Sequence, residues 1–76
     1  MLTPQSTVVM TYRTGQKVKM GFLKLKSGLY RCERAAYGAD GYYQAHNSDS
    51  IDLSWDAIEA KVDDMLFYCN VEVEVL

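Results

Sequence analysis

The side chains best suited to nucleophilic chemistry in this chain are one histidine, His46, and two cysteines, Cys32 and Cys69. A catalytic Cys-His pair would have to join His46 to one of these cysteines. No neighbouring sequence marks either cysteine as an activated thiolate. We therefore expect His46 to lie on the surface or half-buried at a strand end. Both cysteines are expected to be buried thiols rather than a disulfide.

Other reaction classes have equally little support. A lone histidine with carboxylates spread along a helix has no recognisable metal-ligand spacing, and Asp49 and Asp52 are too few for a calcium loop. Ser54 is better explained as a helix cap than as a nucleophile. The chain also lacks a glycine-rich phosphate loop and a GxSxG motif. The sequence predicts a non-enzymatic protein without a metal or other cofactor.

Length and composition indicate one small folded unit. The chain has 76 residues, of which 49% are hydrophobic, so residues 1–76 are expected to form a single domain with one core. The first ten residues lack the basic start and apolar run of a secretion signal, and no apolar stretch approaches the roughly 20 residues of a membrane span. We expect a cytoplasmic protein.

The first half of the chain reads as a series of hairpins. Residues 6–13 are rich in β-branched side chains, and Thr14-Gly15 predicts a two-residue loop leading into residues 16–20. Thr11 then faces Val18 and Val9 faces Met20, which places Val9, Val18 and Met20 on the core side.

A second turn is predicted at Ser27-Gly28. The pairs expected from a two-residue loop there are Leu25 with Tyr30, Leu23 with Cys32 and Lys24 with Arg31. Independently of this turn, the apolar residues of the preceding strand change parity between Phe22 and Leu23, so the sequence also predicts a bulge near residues 21–23. Residues 35–41 are expected to form a loop, residues 42–46 a candidate fourth strand, and residues 47–50 a polar connector.

One helix is predicted from Ser54 to about Tyr68, with Ser54 as its N-cap. Its apolar stripe comprises Trp55, Ile58, Val62, Met65, Leu66 and Cys69. Asn70 is expected to cap its C-terminus, and the alternation in residues 71–75 predicts a final strand with inward valines. The expected fold class is α+β: a small antiparallel, partly coiled sheet in the order β-β-β-(β)-α-β, with one helix packed on one face.

Charge is segregated along the chain, and this is its clearest functional feature. Residues 1–38 hold seven basic and one acidic side chain, whereas residues 39–76 hold one basic and nine acidic ones, giving the net charge of −2. The two signs either neutralise each other inside the fold, for example with Glu72 and Glu74 across from lysines of the first hairpins, or form separate surfaces. The sequence leaves both open.

Two binding surfaces follow if the charges remain separate. The favoured one is an acidic face that docks a basic partner protein and masks its surface; its residues are Asp49, Asp52, Asp56, Glu59 and Asp63. A tyrosine-rich loop with Tyr37, Tyr42 and Tyr43 would add rigid contacts to that partner. The alternative is a basic sheet face that binds RNA or DNA, formed by Lys17, Lys19, Lys24, Lys26 and Arg31. An exposed edge strand, residues 71–76 in particular, could support a homodimer.

Two resemblances bear on these alternatives. The chain is similar in type to small phage-encoded inhibitors such as anti-CRISPR proteins, which are short, acidic α+β domains that occlude a partner. Residues 41–45, Gly-Tyr-Tyr-Gln-Ala, followed by the helix that begins Trp-Asp-Ala-Ile at residues 55–58, resemble the strand-helix unit of HicB-type antitoxins. The Pro-x-Leu-Pro-Gly segment of those antitoxins has no counterpart here. The first resemblance implies partner masking, and the second implies an antitoxin domain.

Overall fold

The computed structural model describes residues 2–68 and 72–76, which form one antiparallel sheet with a helix on one of its faces. The elements are β1 (Val8–Thr11), β2 (Lys17–Lys24), β3 (Tyr30–Tyr37), β4 (Tyr43–Ser48), α1 (Trp55–Tyr68) and β5 (Glu72–Val75). The strand order is β4-β3-β2-β1-β5, with β4 and β5 at the two edges of an open sheet. This confirms the predicted α+β class and establishes the fourth strand.

All three hairpins use the same three-residue loop. The backbone N–H of the residue before each loop donates to the carbonyl of the residue after it: Tyr12 to Gln16, Leu25 to Leu29 and Gly38 to Tyr42, at 2.8–2.9 Å. The last loop residue is a glycine with φ of 86–88° in each case: Gly15, Gly28 and Gly41. A short turn followed by a left-handed residue is the standard geometry of three-residue hairpin loops, and glycine adopts it without steric cost.

The two-residue loops predicted from the sequence are therefore wrong, and each error moved the pairing by one residue. In the first hairpin Val8 faces Met20 and Met10 faces Val18, so Val8 and Met10 rather than Val9 lie on the core side. In the second hairpin the pairs are Lys24 with Tyr30, Leu23 with Arg31 and Phe22 with Cys32. The predicted juxtaposition of Lys24 and Arg31 does not occur.

The predicted bulge near residues 21–23 is also wrong, because it assumed that Leu23 faces the core like Val18, Met20 and Phe22. The β2–β3 register runs without interruption from Lys17–Tyr37 to Lys24–Tyr30. Leu23 consequently points away from the helix and is 45% exposed. The irregularity of this sheet lies instead between β3 and β4, at Ala36/Tyr37.

The core lies between the sheet and α1. Its buried residues are Val8, Met10, Met20, Cys32, Ile58 and Val62, with Val18, Phe22, Tyr30, Trp55, Met65 and Val73 packed partly buried against them. The Trp55 ring meets those of Phe22 and Tyr30 edge-on at 5.2 Å each. The Ser54 Oγ accepts a hydrogen bond from the Ala57 N–H at 3.2 Å, which confirms the predicted N-cap.

Some sequence predictions extend beyond the described region or are only partly met. Strand β4 begins one residue later than predicted and continues through Asn47 and Ser48, and residues 35–37 belong to β3 rather than to a loop. In β5, Val73 packs against the core while Val75 is 40% exposed. The predictions for the Leu66 side chain and for Cys69, Asn70 and Val71 lie outside the described residues.

We predict that Gly28→Ala lowers the free energy of unfolding by about 1 kcal/mol, because alanine in the left-handed region meets its own backbone. A Cβ at Gly28 has open space around it, so the backbone angle alone is tested. Gly21→Ala is the matched control: it also has open space, and its φ is not positive. Urea denaturation should show the control unchanged or stabilised; equal destabilisation of both variants would contradict the role of the loop.

Candidate functional site: the open face of the sheet

The face of the sheet opposite α1 brings together residues that are far apart in the chain. Lys17 pairs with Tyr37, which pairs with Tyr43, so these three residues form one row across β2, β3 and β4. In the neighbouring row Lys19 pairs with Ala35, which pairs with His46. We call Lys17, Lys19, Tyr37, Tyr43 and His46 the basic-aromatic patch.

The geometry within the patch joins cations to aromatic rings. The Tyr37 and Tyr43 rings meet edge-on with centroids 5.9 Å apart, and the Lys19 Nζ lies 5.1 Å from the centroid of Tyr37. This separation falls within the range of a cation–π contact. Tyr43 remains 59% exposed, and Lys17, Lys19 and His46 are also exposed. The patch therefore presents ring surface and positive charge to solvent together.

The patch combines residues that the sequence assigned to two different surfaces. Lys17 and Lys19 came from the predicted nucleic-acid face, whereas Tyr37 and Tyr43 came from the predicted protein-contact loop. Tyr42, the third tyrosine of that loop, lies in the β3–β4 connection and is 75% exposed. Strand pairing explains the union, because β3 lies between β2 and β4.

The other predicted cations of the basic face lie elsewhere. Lys24 faces Tyr30, whose side chain packs on the helix side of the sheet, and Lys26 lies in the β2–β3 loop. Arg31 is on the open face but is held by Asp52: its Nε and Nη2 both donate to the Asp52 Oδ1, at 3.1 and 3.0 Å. Only Lys17 and Lys19 of the five predicted cations join the patch.

The acidic terminal strand faces the same side of the sheet as these lysines. In one row Thr11 of β1 lies between Lys17 and Glu72, and in the next Val9 lies between Lys19 and Glu74. Two strand spacings separate the opposite charges, which is about 10 Å and comparable with the Debye length in physiological salt. Glu72 and Glu74 therefore weaken the positive potential of the patch without forming contacts with the lysines.

A second charged cluster joins Asp49, the residue after β4, to β3 and the helix. The Asp49 carboxylate accepts hydrogen bonds from Arg34 of β3 and from the Lys61 Nζ of α1, the latter at 2.9 Å. The Lys61 hydrogen bond is the largest cause that holds the pKa of Asp49 below its ordinary value, and the charge of Arg34 adds to it against partial burial. Neither Arg34 nor Lys61 was predicted as a site residue. The sequence feature that could have indicated this cluster is Lys61, the one Lys or Arg of residues 39–76.

Beside this cluster is an open pocket of about 240 Å³, lined by Asp49, Ser50, Ile51, Leu53 and Lys61. Its two charged groups already pair with each other. Cys32, a free thiol, is buried nearby, and burial raises its pKa against the lowering effect of Lys61. His46 lies on the opposite face of the sheet from Cys32, so these two residues do not form a nucleophile–base pair.

The predicted acidic face is divided by the fold. Asp49 and Asp52 form ion pairs within the chain, with Arg34, Lys61 and Arg31. The helix carboxylates are exposed and take part in none of the ion pairs found among the described residues; they are Asp56, Glu59, Asp63 and Asp64. Partner binding by this face stays a prediction, and the freely available part of it is the helix.

Comparison with protein-family models, curated proteins and solved structures finds no match to this chain. Among the described residues, no helix has the length and apolar character needed to cross a membrane. The same residues hold no group of three or more His, Cys, Asp or Glu side chains arranged to bind a metal ion.

We predict that Asp49→Asn destabilises the protein by on the order of 1 kcal/mol at neutral pH, since two charge-assisted hydrogen bonds weaken. Because the folded-state pKa of Asp49 is lowered, the wild type gains this stability above the ordinary aspartate range and loses it as the pH falls through the folded pKa. The variant should lose that part of the acid dependence in denaturation at pH 2–7, a range set by ordinary aspartate values. Asp63→Asn, at an exposed position outside the ion pairs, should retain the wild-type profile.

Proposed function

We propose that this protein is a non-enzymatic binding module whose open sheet face holds single-stranded nucleic acid. The observation that carries the proposal is the row formed by Lys17, Tyr37 and Tyr43, with the Lys19 ammonium against the Tyr37 ring. Aromatic rings stack on bases of any sequence, and neighbouring cations follow the phosphates. A sheet with one face covered and the other open provides a flat platform for such a strand.

The strand spacing supports the same ligand. Tyr37 and Tyr43 occupy adjacent strands, and Lys17 and Lys19 occupy the next strand at alternate positions. Lys17 lies one strand spacing, about 5 Å, from Tyr37, and the Lys19 side chain reaches from the neighbouring row to within 5.1 Å of the Tyr37 ring centroid. With only two lysines in the patch and three glutamates on the same face, Glu33, Glu72 and Glu74, binding is expected to be weak and strongly dependent on salt.

We place this module in the cytoplasm, and its buried free thiol Cys32 suits a reducing compartment. The proposal agrees in kind with the HicB-like alternative drawn from residues 41–45 and 55–58, because it assigns nucleic-acid-related binding to the sheet. It does not require the antitoxin role.

We predict that Lys17→Ala with Lys19→Ala weakens binding to a fluorescently labelled oligo(U) or oligo(dT) 12-mer about tenfold, as measured by fluorescence anisotropy. Loss of two phosphate contacts should also reduce the slope of log affinity against log salt by about 1.4. Tyr43→Ala should weaken binding by a similar factor through lost stacking, which contributes about 1–3 kcal/mol per base.

The matched control is Lys24→Ala with Lys26→Ala, which changes the net charge equally but lies off the patch. It should bind within about twofold of wild type if position matters. Equal losses of affinity in the two double variants would show that net charge, and not the position of the lysines, controls binding. Absence of wild-type binding to both oligonucleotides at low salt would refute the proposal.

A second candidate function rests on the helix. Asp56, Glu59 and Asp63 recur at positions i, i+3 and i+7 of α1 and are all exposed. Like charges at this spacing destabilise a helix by a few tenths of a kcal/mol per pair, and a cationic partner surface would reverse that effect. On this reading the protein masks a basic surface of another protein, as an inhibitor of the anti-CRISPR type does.

We predict for this second function that Asp56→Lys with Asp63→Lys abolishes capture of a stoichiometric partner from nuclease-treated lysate of the native host. Glu72→Lys with Glu74→Lys makes the same charge change on β5 and should leave capture intact. Mass spectrometry of both eluates provides the comparison. Capture that survives the helix substitutions, or that disappears with nuclease in the wild type, would contradict a role for the helix.

A further inference from the structure

The two edges of the sheet differ in how they are protected. Edge strand β5 has four residues, two of which are glutamates, and charged side chains on an edge discourage pairing with another chain. Edge strand β4, Tyr43–Ser48, has six residues, all exposed, and contains no Asp, Glu, Lys, Arg or Pro. Its irregularity lies at the Tyr43 end, so residues 45–48 pair regularly with β3.

The hydrogen bonds of β4 show which backbone groups face outward. The Asp49 N–H donates to the Cys32 carbonyl at 3.0 Å, directly after β4 ends. In an antiparallel strand the N–H and C=O of one residue point to the same side, and those of the next residue point to the other. Asn47 and Ala45 therefore bond inward, to Arg34 and Ala36. His46 and Ser48 direct their backbone groups away from the sheet.

We propose that β4 pairs antiparallel with β4 of a second copy of this chain, about a two-fold axis at His46. His46 of each copy then exchanges two backbone hydrogen bonds with His46 of the other, and Ser48 lies opposite Gln44. Strand β4 consists of neutral polar residues together with Ala45 and Tyr43. When it pairs with itself, no like charges of Asp, Glu, Lys or Arg meet directly.

This assembly goes beyond the nucleic-acid proposal and stands without it. It joins two five-stranded sheets into one of ten strands, with the helices of both copies on one side. Tyr43 and His46 of the two copies then lie near each other on the open side, so the two basic-aromatic patches become continuous. The contact is confined to one strand, so the dimer should dissociate on dilution.

Cysteine scanning at positions 45, 46 and 47 tests the pairing and its axis. At a hydrogen-bonded antiparallel pair the two Cα atoms lie about 5.5 Å apart, within the range of a disulfide. His46→Cys should therefore cross-link two chains under mild oxidation on non-reducing gels. Ala45→Cys and Asn47→Cys should not, because their nearest copies are displaced along the strand. The wild type, which contains Cys32 and Cys69, is the control for cross-linking through these native cysteines.

Sedimentation velocity over a concentration series provides the second measurement. The wild type should approach the dimer mass at high concentration, whereas His46→Lys, which places two cations across the axis, should remain monomeric. Glu74→Gln shifts the net charge by the same amount on the other edge and should dimerise normally. A monomeric wild type at all concentrations would overturn the proposal, and preferential cross-linking at position 45 or 47 would overturn the His46 axis.

Discussion

The arrangement of this fold depends on one backbone angle that recurs at three turns. Gly15, Gly28 and Gly41 each adopt a left-handed conformation at the end of a three-residue loop. Since side chains alternate faces along a strand, the length of each loop decides which half of the residues meets the helix. The hydrophobic core and the open face are thus both consequences of the same local geometry.

The separation of charge along the chain is partly resolved and partly preserved by folding. Arg31 and Arg34 of the basic half pair with Asp52 and Asp49 of the acidic half, so the two halves neutralise each other where β3 meets the segment before the helix. Elsewhere the signs remain apart, with lysines on the open face of β2 and carboxylates on the outer side of α1. These unpaired charges are the reason to test both sides of the molecule as binding surfaces.

The sequence was sufficient for the element order, the α+β class and the helix start, because propensity, capping and apolar spacing are local signals. It was insufficient for the pairing, since Thr14-Gly15 and Ser27-Gly28 suit both two- and three-residue loops. Because loop length sets the strand pairing, the same ambiguity applies to which residues form the site. The β2–β3 register is needed to predict that Lys17 and Tyr37 lie on one surface. No local sequence pattern predicts that Tyr43 lies beside them.

Strand β5 pairs with β1, so Val8 and Val75 are neighbours although almost the whole chain separates them. Strands β1 to β4 form by successive hairpins, whose contacts are local and close quickly. The last strand can be added only after the helix has crossed the sheet. During synthesis on the ribosome, the apolar side of the four-stranded meander therefore stays exposed until α1 has been made and packs on it. Slow translation of α1, or truncation within it, should thus favour aggregation over a partly active product.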